Sequence, residues 1–168
     1  EVEGLTVVDL LRRAGEEVLM VSISDNLSVT GSHGIEIKAD VFFDDVDYST
    51  VDLLVLPGGM PGTVHLGEHQ RLAELLQSFA ASDRKVAAIC AAPSVLGGLG
   101  ILKNKKAACY PGFEEKLEGA QVFTDPVVKD GNITTSRGVG TAISFALELI
   151  SQLEGEVKAR QIKKSIVS

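Results

Sequence analysis

The stretch VAAICAAPSVLGGLG, residues 86–100, places a cysteine at the end of an apolar strand-like run and follows it with small residues, a proline and glycines. A strand that turns sharply into a helix lifts the residue at the bend out of the sheet and crowds the backbone around it. The positions two before and two after must then be small, and here they are Ala88 and Ala92. Pro93 falls near the first helical position, where its missing N–H is harmless and its fixed φ starts the helix. The pattern is that of a nucleophile elbow, with cysteine for serine and alanine for glycine. A thiol at Cys90 would face first-turn N–H groups, which favour thiolate and lower a cysteine pKa. The N–H of Ala91 could also receive an oxyanion formed on attack at a carbonyl. Cysteine is equally among the most buried residue types, so tight core packing of AICAA is a competing reading on these residues alone.

Outward from the bend, strand-length apolar runs alternate with helical patterns, the mark of an α/β domain with a parallel sheet covered by helices on both faces. The runs 17–23, 51–57, 85–90, 106–110 and 132–136 read as strands; 3–15, 70–82, 140–153 and 156–167 read as helices. Segment 28–45 alternates and is broken by Gly31 and Gly34, which predicts a hairpin-like excursion. With 168 residues the chain fits one domain, residues 1–168. A chain of this class should open on a buried strand, yet the first pattern is already a helix. The expectation is that a first strand with its turn, roughly ten residues, has been lost upstream.

A net charge of −7 repels phosphate backbones and anionic lipids, and KNKK at 103–106 is the largest basic cluster, so neither nucleic acid nor membrane is expected as a partner. No apolar run approaches the ~20 residues of a membrane helix. Two cysteines, Cys90 and Cys109, with no CxxC and three histidines give neither a disulfide framework nor zinc-ligand spacing. A reducing cytoplasm is the expected compartment, with no metal.

A second glycine-rich turn, LPGGMPG at 56–62, follows another strand and offers the Gly59 N–H as a further oxyanion donor. SRGVGTAIS at 136–144 departs from a dinucleotide fingerprint at Ile143, and no GxxxxGK is present, so no cofactor is expected. His33, His65 and His69 lie in loop or surface segments that no spacing rule pairs with Cys90. Glu3 sits at the start of the first helix, where a dipole-complementing charge suffices to explain it. Cys109 reads as packing.

Taken together, AAICAAPSVL, VLPGGMPG, EVEGLTVVDLLRRAG and ITTSRGVGTAISFALELI resemble the ThiJ/PfpI superfamily, in its branch with the Parkinson-disease protein deglycase and bacterial YajL. The resemblance spans nearly the whole chain. It implies a flavodoxin-like fold, a homodimer, and a largely protonated glutamate beside the elbow cysteine. Those residues carry over to Glu3 and Cys90, the oxyanion donors to Gly59 and Ala91, and the pocket residues to His33, Arg13 and Arg137. Tyr110 stands before Pro111 where several relatives have histidine, so a Cys–His dyad is absent and peptidase activity ranks last. In this family the first strand is interior to the sheet, and its loss should open a slot in the core. The resemblance implies attack of Cys90 on small α-oxoaldehydes such as methylglyoxal, or deglycation of their adducts, without a cofactor. The alternative is a peroxide sensor or redox-regulated chaperone acting through Cys90 sulfinate.

Overall fold

The computed structural model describes all 168 residues. Helix α1 (Val2–Ala14) ends where Gly15 adopts a left-handed φ of 100°, its N–H closing on Arg12. This is the glycine stop the sequence announces. Strands β1 (Val21–Ser22), β2 (Ser28–Thr30), β3 (Glu36–Lys38), β4 (Val41–Phe42) and β5 (Leu53–Leu56) follow, then α2 (Gly62–Glu68) and α3 (Gln70–Ala80). Next come β6 (Lys85–Ile89), α4 (Pro93–Gly98), β7 (Lys106–Ala107), β8 (Gln121–Val122), β9 (Val127–Asp130), β10 (Ile133–Ser136), α5 (Ala142–Glu154) and α6 (Glu156–Ser165).

The main sheet has the order β5–β6–β10–β9, parallel except for β9, which runs antiparallel to β10. Strand β6 shows why its sequence is apolar without alternation. Val86 and Ala88 enter one core with Leu72, Leu76 and Phe79 of α3, whereas Ala87 and Ile89 enter the other with α1, α5 and α6. Both faces are covered, so both sets of side chains must be apolar. Three polar residues of β10, Thr134, Thr135 and Ser136, are buried yet partnered: Gln152 donates to Thr134, the Ala108 N–H to Thr135, and Ser136 to the Pro126 carbonyl.

Several sequence expectations need correction. The run 17–23 contributes only two ladder residues, because Met20 N–H is taken by the Asp40 carboxylate and β1 is held to β4 alone. Likewise 106–110 narrows to Lys106–Ala107. The 28–45 excursion is a true antiparallel hairpin only through β2 and β3; β4 leaves it to run parallel beside β1. Helix α2 and strands β8 and β9 lay outside the sequence reading. No ladder bond joins the β1–β4 pair to β5, so the edge of β5 away from β6 is unpaired. No helix is long and apolar enough to cross a membrane.

Candidate active site

The bend after β6 is an elbow in fact. Cys90 has φ +66°, one of three non-glycine residues in the left-handed region, and such a backbone persists only where its surroundings fix it. They do so on both sides: Cys90 N–H donates to the Ser136 carbonyl at 3.0 Å, and the Cys90 carbonyl accepts from Tyr110 N–H at 2.8 Å. Ala88 and Ala92 are fully buried, as the crowding argument requires, and Pro93 opens α4. Cys90 itself is half-buried, with its sulfur at the carboxyl end of the parallel strands.

Glu3, in the first turn of α1, is 6% exposed and meets this sulfur. Its Oε2 accepts the Gly58 N–H at 3.0 Å. The glycine is obligatory there, since a Cβ on Gly58 would come within 2.6 Å of the Cys90 Cβ and 2.7 Å of the Glu3 oxygen. Backbone N–H groups of Ala91 and Gly59 also donate toward the sulfur. Gly59 reaches it with φ +91°, which only glycine adopts without strain.

The thiol departs from the sequence expectation. Burial first, then the charge of Glu3, push Cys90 up to about 11, while the Ala91 and Gly59 N–H groups pull it down. Helix α4 spans six residues, so the pull of its N-terminus is weak against desolvation. The upward push depends on where the charge sits. Moving one proton from sulfur to Glu3 turns the carboxyl into a donor to the thiolate, and the same contact then stabilises it. The contact therefore places a carboxyl where it can take the proton that the sulfur gives up.

Tyr110 adjoins Cys90, its N–H on the Cys90 carbonyl. It is 50% exposed, and its ring faces Gly138, where a Cβ would lie 3.4 Å from the ring and 3.9 Å from the Cys90 sulfur. His33 is at the rim, its side chain 84% exposed and its Nδ1 3.7 Å from the Glu1 carboxylate. Arg137 is half-buried beside Gly138, but its guanidinium reaches the Thr124 carbonyl at 3.4 Å and acts on Cys109 rather than on Cys90. Arg13 lies ten residues along α1 from Glu3, about 15 Å at helical rise, and pairs with Asp9 at 2.7 Å. The structure thus gathers Cys90, Glu3, Gly59, Ala91 and Tyr110, sets His33 at the edge, and leaves Arg13 and Arg137 on other contacts. Gly58 and Gly138 were missed as spacers. The doubled glycine after β5 was the available signal for the first.

The DJ-1/PfpI family model matches residues 1–152. The chain belongs to this family. Its DJ-1/PfpI relatives include the glutathione-independent glyoxalase DJR-1.2 of Caenorhabditis elegans, 35% identical over 99% of this chain and 89% of that protein. Protein dj-1beta of Drosophila melanogaster is 36% identical over 99% and 90%. The DJ-1 homologs B and A of Arabidopsis thaliana are 38% and 39% identical, but the chain spans only 38% and 43% of their lengths. Among solved structures, oxidized Toxoplasma gondii DJ-1 superimposes with a TM-score of 0.94 at 35% identity, covering 99% of this chain and 91% of that one.

Proposed function

We propose that the chain converts small α-oxoaldehydes such as methylglyoxal to 2-hydroxy acids through a hemithioacetal on Cys90. The reading rests on one observation: a buried carboxyl, Glu3, touches a sulfur held on a strained elbow and faced by two backbone N–H donors. The glyoxalase name of the nematode relative supports the reaction class.

Each group has a task set by its position. Sulfur attacks the aldehyde carbon as its proton passes to Glu3, so no free thiolate is needed beforehand. The new alkoxide forms beside the Gly59 and Ala91 N–H groups, which are fixed before reaction and need no reorganisation. Glu3 then returns that proton to the alkoxide, completing the hemithioacetal, and, restored as a base, moves the hydrogen of the former aldehyde carbon to the neighbouring ketone carbon through an enediol. The first carbon is oxidised to a thioester and the second reduced to an alcohol, so electrons balance without an external partner. Water cleaves the thioester, giving the hydroxy acid and the thiol. Hemithioacetals and aminals of early methylglyoxal adducts present the same carbon, which makes deglycation the same chemistry on a larger substrate. Tyr110 and His33 at the rim contact the substrate's far end.

Cys90→Ser should abolish methylglyoxal consumption, with Cys109→Ser as the control. Cys109 is 3% exposed in the α3–α4 core and should keep turnover. Equal loss in both variants would sink the reading. Sulfinate formation is the second reading, supported by the same donors, which would also receive sulfur-bound oxygens. Mild peroxide adding two oxygens at Cys90, in a protein that consumes no aldehyde, would favour a sensor or redox-regulated chaperone instead. We also propose a homodimer in the cytoplasm. Val2 and Leu5 of α1, Ile35 beside β3 and Met60 of the turn after β5 are exposed apolar side chains that a second copy would cover. Light scattering at micromolar concentration tests it.

A further inference from the structure

The turn carrying the Gly59 N–H is held from outside the site. Its peptide groups are fixed one after another: Gly58 N–H on Glu3, the Gly59 carbonyl on Thr63 N–H and Oγ1, both at 2.9 Å, and the Met60 carbonyl on the Ser32 hydroxyl at 3.1 Å. Ser32 belongs to the turn between β2 and β3, a hairpin whose tip also reaches the other half of the site. There the His33 N–H donates to the Glu1 carboxylate at 3.1 Å, two residues before Glu3. The tip therefore bridges the helix that carries the carboxyl and the turn that carries the oxyanion donor. It fits closely: a Cβ on Gly59 would come within 2.8 Å of the Ser32 oxygen.

We propose that Ser32 is a positioning residue, its hydroxyl holding the Met60 carbonyl so that the Gly59 N–H stays aimed at the sulfur and at the alkoxide that forms there. The inference deepens the function proposed above and rests on it for the alkoxide. Without the Ser32 bond the Met60 carbonyl is free and the turn is held through the Gly58 N–H and the Gly59 carbonyl alone, which lets it shift, and a donor aimed away from the developing charge gives no transition-state stabilisation. Complete loss of one such donor costs on the order of 10²–10³ in kcat. Loosening it through an exposed hydroxyl that water can partly replace should cost less, on the order of tenfold.

The test compares Ser32→Ala with Ser32→Thr, which keeps the hydroxyl, by methylglyoxal kinetics and by the pH profile of Cys90 alkylation with iodoacetamide. Ser32→Ala should lower kcat about tenfold with KM nearly unchanged, and should move the alkylation profile to higher pH, since a donor to the thiolate has been loosened. Ser32→Thr should restore both. A melting temperature lowered without either change would reduce Ser32 to hairpin packing and overturn the proposal. If the wild-type protein consumes no methylglyoxal, the reaction assignment fails, while the alkylation profiles still decide the role of Ser32.

Discussion

Helix α1 carries a glutamate at each end, and the two meet opposite surroundings. Glu3 lies in the first turn, where the helix dipole favours a negative charge, and finds the Gly58 N–H and the Cys90 sulfur. Glu16 lies two residues past the last helical residue, at the unfavourable end, and its Oε1 is buried with no partner. Burial and the neighbouring carboxylates of Glu154 and Asp52 push its pKa up. A buried carboxyl is thus a tool where donors and an acid partner surround it, and a liability where other carboxylates do. The carboxyl ends of the parallel strands supply the first environment, their amino ends the second.

The comparison breaks most visibly at Glu3. Glu3→Gln keeps the shape but removes the base, so turnover should fall on the order of 10²–10⁴-fold. The thiol should move the other way. With the charge of Glu3 gone, the Cys90 pKa falls from about 11, and alkylation at pH 8 becomes faster while turnover is lost. Thiolate absorbance against pH, measured in both proteins, checks the sign. A wild-type thiol already ionised below pH 7 would overturn this expectation.

How much of this could be read in advance divides along the same line. The elbow was legible because its crowding is local: AICAAP states the kink, its small neighbours and the helix start within six residues. Gly59 was legible for the same reason. Glu3 was not, since nothing local distinguishes a carboxylate at a helix N-terminus from one that meets a sulfur 87 positions later; only the family resemblance supplied it. Strand β9 was missed because VVKD carries two charged residues on an antiparallel edge, where a polar face is allowed. The two-residue β1 was overread because apolar character fixes burial more firmly than it fixes a ladder partner. The Ser32–Met60 bond spans 28 residues between two turns and left no trace in either one's composition.

The second way to break the comparison is to fill the space that lets Glu3 and Cys90 meet. A methyl at Gly58 would have to sit within 3 Å of the Cys90 Cβ, a Glu3 oxygen and the Ile89 carbonyl, one of them backbone. Gly58→Ala should therefore lose about 1–3 kcal/mol of stability, the range of an overpacked core, and part carboxyl from sulfur. Gly62→Ala is the control, because nothing lies within 4 Å of its added methyl. Urea denaturation separates the two; equal stabilities would mean that the site has slack.

The smallest effect belongs to Glu16, and its sign is opposite. A carboxyl whose pKa is raised in the folded state binds its proton more tightly there than in the unfolded chain. Relative stability is then full below the ordinary carboxylate range and is lost as pH rises through the raised value. At pH 7 the charge of Glu16 opposes folding. Glu16→Gln removes it and gives Glu154 an amide N–H where two carboxylates now face each other without a donor. The site is partly solvated, so the gain is small, a rise in Tm of about 1 °C at pH 7. It should vanish below pH 4, where Glu16 is protonated in both states, because the neutral acid then donates to Glu154 much as the amide would. A Tm difference that persists unchanged at low pH would assign the effect to packing and remove the electrostatic contrast between the two ends of α1.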